Sequence, residues 1–238
     1  MHCWVDVSLI RKRFLILIIA ALVIVTVVLA FSFYPFPTRV EHIGGKYDAT
    51  VTYWSSHVQL AYTDETGHHV SGYFDDQMMT GLNWINNSTP ENATFLCWWD
   101  YGNMIKAIGE RNVIVRNPSQ EIINSVADPS SIKEFDTNQK IVDVASALTA
   151  TNQSETVQIM GKYNATYIMI GKNDLVNSVW FFKAAGLNYT DYLVNQGTSL
   201  SFTSLGNNTL IARLLNDRNT SPFTLVYQDQ QMKIYKLG

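Results

Sequence analysis

The chain has 238 residues, 47% of them apolar and 16% charged, with a net charge of −3. That balance is too apolar for a disordered chain, and the length suits one domain plus an appendage. No block of Lys or Arg lies beyond the N-terminus, which excludes the basic face that a nucleic-acid partner requires.

Residues 1–13 read as a short cytoplasmic tail that closes on Arg11-Lys12-Arg13. From Phe14 to Phe31 every residue but Thr26 is apolar, and Ser32, Phe33 and Tyr34 carry the run to Pro35. At ~1.5 Å per residue, roughly 20 such residues cross a hydrocarbon core of ~30 Å, so 14–34 is expected to be a transmembrane helix. The basic residues before it place the N-terminus in the cytoplasm and the rest outside, giving a single-pass membrane protein. A cleaved signal peptide is the rival reading. The run exceeds the usual length of such a segment, and no small-x-small cleavage site follows it. Cys3 and Cys97 then lie on opposite sides of the membrane, so the two cannot pair.

Residues 35–74, with their prolines and Gly44-Gly45, read as an exit linker and juxtamembrane segment. Within it, Ala49 to Ala61 suits a strand or a short helix, and Asp64-Glu65-Thr66-Gly67 a turn. A globular domain is expected over 75–238. Asp75 or Asp76 caps a helix that carries Met78, Met79, Leu82 and Ile85 on one face. Thr94 to Trp98 is a short buried strand, Asp100-Tyr101-Gly102 turns the chain, and a helix with Met104, Ile105 and Ile108 follows. Val113–Val115 is a strand, 141–150 and 155–163 are helices, Tyr167–Gly171 is a buried strand and 175–185 a helix. A helix at 210–215 and a hairpin over 223–226 and 232–235 complete the chain. Strands alternate with helices, so a mixed α/β (α+β) domain after one N-terminal transmembrane helix is the expected fold.

The run Trp98-Trp99-Asp100-Tyr101-Gly102 stands out. At a strand end, where the alternation of side chains breaks down, both indoles can shape one wall. Asp100 can then present an acceptor beside an aromatic surface, a site for a small hydroxyl on a short apolar stem. The plainer alternative makes Asp100 or Asn103 a helix cap and both tryptophans core.

This run resembles the WWDYG signature of the catalytic subunit of archaeal and eukaryotic oligosaccharyltransferases. The resemblance extends to Leu82–Ile85 and Thr89-Pro90 before it, and after it to 156–170, Leu225-Val226-Tyr227 and Lys233-Ile234-Tyr235-Lys236. It implies that Trp98, Trp99 and Asp100 bind the Ser or Thr of an Asn-x-Ser/Thr acceptor polypeptide, with Tyr101 and Gly102 as support. It also implies a divalent metal held by a polytopic membrane region, which one span cannot supply. No cofactor, metal ligand or catalytic residue is therefore assigned to this chain, and no transfer is expected from it alone. A second family motif, Asp-x-x-Lys-x-x-x-Met, matches here only at Asp174, with Asn177, Phe181 and Ala184 at the later positions. A plain core helix under Trp180 and Phe181 accounts for that stretch equally well.

His68-His69, near Asp64 and Glu65, has no standard metal spacing. Sequons at Asn86, Asn87, Asn92, Asn152, Asn164, Asn188, Asn207 and Asn219 agree with an extracytoplasmic surface. Three functions follow: an acceptor-binding module beside a full transferase, the soluble half of a split oligosaccharyltransferase with a polytopic partner subunit, or a surface protein that keeps only the fold.

Overall fold

The computed structural model describes residues 22, 37–116, 139–197 and 199–238. The tail 1–13 and the span assigned to 14–34 lie outside them, but for the helical residue Leu22. Among the described residues no helix is long and apolar enough to cross a membrane.

Residues 35–74 are more than a linker. They carry a four-stranded antiparallel sheet of β1 (Arg39–Ile43), β2 (Ala49–Tyr53), β3 (Val58–Thr63) and β4 (His69–Tyr73), in that order. The stretch from Ala49 to Ala61 is a hairpin, with Thr50 opposite Ala61 and Thr52 opposite Gln59. Ala49, Val51, Leu60 and Tyr62 form its buried face. Asp64 closes the β3–β4 turn. Its Oδ1 accepts from the Thr66 hydroxyl at 2.6 Å and from the Thr66 and His68 N–H groups at 2.9 and 3.0 Å. These bonds, the hydroxyl's first, hold the Asp64 carboxyl well below the usual range. Oδ2 takes Arg116 Nη2 at 2.8 Å, which ties the turn to the main body.

From residue 75 the order of strands and helices follows expectation. Asp75 accepts from the Gln77 N–H at 3.1 Å and starts a 3-10 turn that leads into α1 (Met79–Ser88). Then come β5 (Thr94–Leu96), α2 (Trp99–Ala107), β6 (Asn112–Val113), α3 (Gln139–Thr149), α4 (Gln153–Lys162), β7 (Tyr167–Gly171) and α5 (Asp174–Ala184). A short helix α6 (Tyr189–Tyr192) and a hairpin of β8 (Leu193–Gln196) and β9 (Ser199–Phe202) were not expected. The chain closes with α7 (Leu210–Leu215), β10 (Phe223–Gln228) and β11 (Met232–Leu237). One boundary matters for the site: α2 begins at Trp99, so Asp100, Tyr101 and Gly102 form its first turn rather than a turn before it.

The second sheet has five strands in the order β10-β11-β7-β5-β6. β5 runs parallel to β6 and β7, while β11 is antiparallel to β7 and β10. β11 shows the layers on either side. Met232 lies against α1 at Gly81, where a Cβ would come 2.4 Å from the Met232 sulfur. Tyr235, on the opposite face, donates its hydroxyl to the Leu214 carbonyl of α7 at 2.6 Å. β7 is buried along its whole length, as a strand covered on both faces must be. The mixed α/β fold is thus a sheet with helices on both faces and a small antiparallel sheet beside it. Parallel β5 and β7 end side by side, and each feeds a helix. The N-termini of α2 and α5 therefore meet at one edge, the place where such sheets bind ligands.

Arg111 fastens the end of α1. It is 5% exposed and donates to the Thr89 hydroxyl at 3.0 Å, to the Thr89 carbonyl at 2.7 Å, and to the carbonyls of Asn86, Gly109 and Glu110. A cation at a helix C-terminus also complements the helix dipole. Arg111→Met leaves those acceptors buried and unpaired, and is expected to cost ~2–4 kcal/mol in urea unfolding. An unchanged midpoint would contradict this assignment.

Candidate functional site

Trp98 stands just before α2 with φ −64° and ψ 149°. It is 1% exposed and packs against the Phe181 ring of α5, with centroids 4.6 Å apart. Trp99 follows at 6.2 Å from its neighbour and is half-buried. Its indole nitrogen is buried without a hydrogen-bond partner among the described residues. The two tryptophans thus do not share one wall: Trp98 is core, and Trp99 reaches the surface.

Neither Asp100 nor Asn103 caps α2. The cap position belongs to Trp98, and no side chain bonds there. Asn103 Oδ1 instead accepts from the Tyr62 hydroxyl of β3 at 2.9 Å. Asp100 sits in the first turn of α2, where burial, reinforced by the charge of Asp174, pushes its carboxyl up to about 7. No donor among the described residues offsets that rise.

Asp174 opens α5 and is fully buried. Its Oδ1 accepts from the Tyr101 hydroxyl at 2.7 Å and the Asn177 amide at 3.3 Å, and its Oδ2 from the Gly171 N–H at 2.9 Å. Burial raises its carboxyl to about 6 against the pull of these donors, the Tyr101 hydroxyl's being the strongest. The Tyr101 phenol is pushed far up by burial and by Asp174, so it stays a donor. Two glycines permit the arrangement. A Cβ on Gly171 would lie 2.2 Å from the Tyr101 hydroxyl oxygen, and one on Gly102 would lie 2.3 Å from the Val115 carbonyl oxygen.

A groove of about 730 Å³ opens beside this construction. Trp99, Asp100 and Asn103 of α2 form one wall, and His69, Val70, Ser71, Gly72 and Tyr73 of β4 the other; Asp64, His68 and Arg116 complete it. Of the residues assigned from sequence, Trp99 and Asp100 line the groove. Trp98, Tyr101, Gly102 and Asp174 hold them from behind. Phe181 and Ala184 are buried, and Asn177 is half-buried against Asp174. The β4 wall was not expected, although His-Val-Ser-Gly-Tyr carries a faint polar–apolar alternation.

Among the described residues no three His, Cys, Asp or Glu side chains gather where a metal could sit. Cys97 is a free, fully buried thiol whose ionisation burial opposes. The sequon asparagines are exposed except Asn86, whose amide donates to the Ile108 carbonyl at 3.0 Å.

No protein-family model matches the chain. It is 25% identical over 142 residues to the STT3B subunit of dolichyl-diphosphooligosaccharide–protein glycosyltransferase from Oryza sativa, covering 54% of this chain and 17% of that protein. It is 24% identical over 156 residues to the STT3 subunit from Dictyostelium discoideum, covering 60% and 19%. The chain thus spans less than a fifth of the length of these relatives. The crystal structure of the C-terminal globular domain of an oligosaccharyltransferase from Archaeoglobus fulgidus matches with a TM-score of 0.52 at 18% identity, over 70% of this chain and all of that one. The fold is therefore that of an oligosaccharyltransferase C-terminal globular domain. With the sequence matches, the chain is related to that domain of the enzyme's catalytic subunit.

The two carboxylates generate opposite stability predictions. A buried Asp with its folded pKa raised from ~3.9 to a higher value stabilises fully below ~4 and loses that contribution as pH rises through the folded pKa. For Asp100 the loss runs up to about pH 7. Asp100→Asn should therefore match the parent near pH 4 and exceed its Tm increasingly towards pH 8. A constant difference across that range would show that Asp100 is not desolvated. Tyr101→Phe behaves otherwise. It removes a charge-assisted bond, so Asp174 is raised further, and the cost should grow from pH 5 to pH 8, reaching ~1.5–3 kcal/mol. A penalty independent of pH would count against the Tyr101–Asp174 bond.

Proposed function

We propose that this chain is a membrane-anchored, extracytoplasmic domain that binds extended polypeptide segments carrying Asn-x-Ser/Thr and serves an oligosaccharyltransferase membrane region. One observation carries the reading. Asp100 is held in the first turn of a helix with no donor among the described residues, beside an aromatic surface, in a groove of about 730 Å³. A peptide hydroxyl supplies the missing donor, and Trp99 offers the apolar surface that the hydroxyl's stem requires. The bond is charge-assisted, so peptides lacking the hydroxyl leave a desolvated carboxylate unpaired. The apolar run over 14–34 and the basic residues before it support the anchor and its orientation. Supplying the soluble half of a split transferase is the enzyme form of this reading.

A second reading, a domain that keeps only the fold, rests on Trp98. Phe181 stands where the family motif has methionine and covers the indole, which leaves Trp99 and Asp100 to do the binding.

The full chain in detergent micelles, titrated with an Asn-x-Thr peptide and its Asn-x-Ala control, separates the two. The Thr peptide should bind ~10–150-fold more tightly, the equivalent of one charge-assisted hydrogen bond. Its affinity should fall as pH drops through about 7, because only the ionised Asp100 is the strong acceptor. Asp100→Asn should remove both the preference and the pH dependence. Equal affinity for the two peptides removes Asp100 as the hydroxyl acceptor, and no binding of either leaves the fold-only reading.

A further inference from the structure

The free edge of β4 forms a whole wall of the groove, and its hydrogen-bonding pattern can be read from the ladder. Asp64 N–H bonds the His68 carbonyl at 3.0 Å, and Phe74 N–H bonds the Val58 carbonyl at 3.0 Å. With Leu60 opposite Gly72 and Tyr62 opposite Val70, bonded pairs recur at every second position. The alternate residues, His69, Ser71 and Tyr73, therefore turn their backbone N–H and C=O groups away from β3. Among the described residues β4 is the last strand of its sheet, so these groups face no further strand there. Edge strands of this kind are templates for another extended chain.

The edge runs along the site. All five β4 residues line the groove together with Trp99 and Asp100. Their inner face rests on α2, where Gly72 would bring a Cβ to 3.5 Å from the Asn103 amide. At the Tyr73 end the Asp100 charge reaches the tyrosine phenol, and at the other end Arg116 is paired to Asp64. A strand laid on this edge points alternate side chains inward over α2, towards Trp99 and Asp100.

We propose that the acceptor polypeptide binds as a fifth strand on β4, pairing its backbone with His69, Ser71 and Tyr73 while its Ser or Thr hydroxyl reaches Asp100. This deepens the function proposed above and rests on it. β4 is five residues long, so the paired segment spans ~17 Å at ~3.3 Å per residue. Backbone pairing makes the groove indifferent to most side chains, and Asp100 supplies the selection. The N-terminal sheet thereby becomes half of the binding site.

The test uses the full chain in micelles and Asn-x-Thr peptides methylated at one backbone nitrogen at a time. Methylation should weaken binding ~tenfold at alternate positions and leave the positions between them nearly unchanged, because a paired strand points every second N–H at its partner. Ser71→Pro, which removes an outward N–H at an edge where proline is tolerated, should weaken the Thr peptide and its Ala control by the same factor. Asp100→Asn should remove only the difference between them. Thr-selective binding with no alternation under methylation and no effect of Ser71→Pro overturns the strand-pairing proposal and leaves the hydroxyl-binding function standing. Alternating binding without Thr selectivity does the reverse. A Ser71→Pro chain with a lowered Tm is set aside in favour of the methylation series, which leaves the protein unaltered.

Discussion

The site depends on one buried carboxylate. Asp174 has no solvent, and its charge is tolerable only because a phenol, an amide and a backbone N–H converge on it. Those donors come from three places: the start of α2, the end of β7 and the first turn of α5. Asp174 therefore fixes the angle between the two helices that leave the parallel strands. Those donors offset the carboxylate's desolvation only in part, and removing any one of them raises the cost of its charge further. Asp100 lies one residue before Tyr101, so the clamp that holds the phenol also aims Asp100 at the groove.

The two aspartates divide a conflict between stability and binding. Both are desolvated, and each raises the cost of charging the neighbourhood. Asp174 is hydrogen-bonded within the protein and ties α2 and β7 to α5. Asp100 has no donor among the described residues, which is costly in the free protein and useful only if a ligand brings one. A carboxylate serving structure alone would sit where a backbone N–H could reach it, as Asp64 does in its turn. That contrast, between two acids on the same molecule, is the physical ground for the proposal that Asp100 rather than its neighbours meets a ligand.

Most elements after residue 75 were legible because their apolar residues recur at clear helical or strand spacing, as in Met78, Leu82 and Ile85 or Tyr167–Gly171. The N-terminal sheet was not. β1 exposes Arg39, Val40 and His42, and β4 exposes its odd positions, so the pattern reads as polar linker until tertiary pairing is known. The motif was visible, but its internal division of labour was not. Two adjacent tryptophans look equivalent in sequence. The strand-to-helix boundary between them sends Trp98 inward and Trp99 outward. Asp174 looked like the remnant of a degraded motif. Its role became apparent only when Tyr101, 73 positions earlier, was found bonded to it.

Phe181 shows how the change of that second motif fits the rest. A phenyl ring at this position fills the space beside Trp98 and leaves the indole 1% exposed. Apolar contact with a ligand must then come from elsewhere, and Trp99 is the aromatic side chain of the motif that still faces the groove. The groove lies on the side of α2 that faces β4, away from α5. A groove with a strand for its second wall can hold a chain by its backbone. Trp98 thus belongs to the core, and the groove runs along β4 beside Trp99 and Asp100.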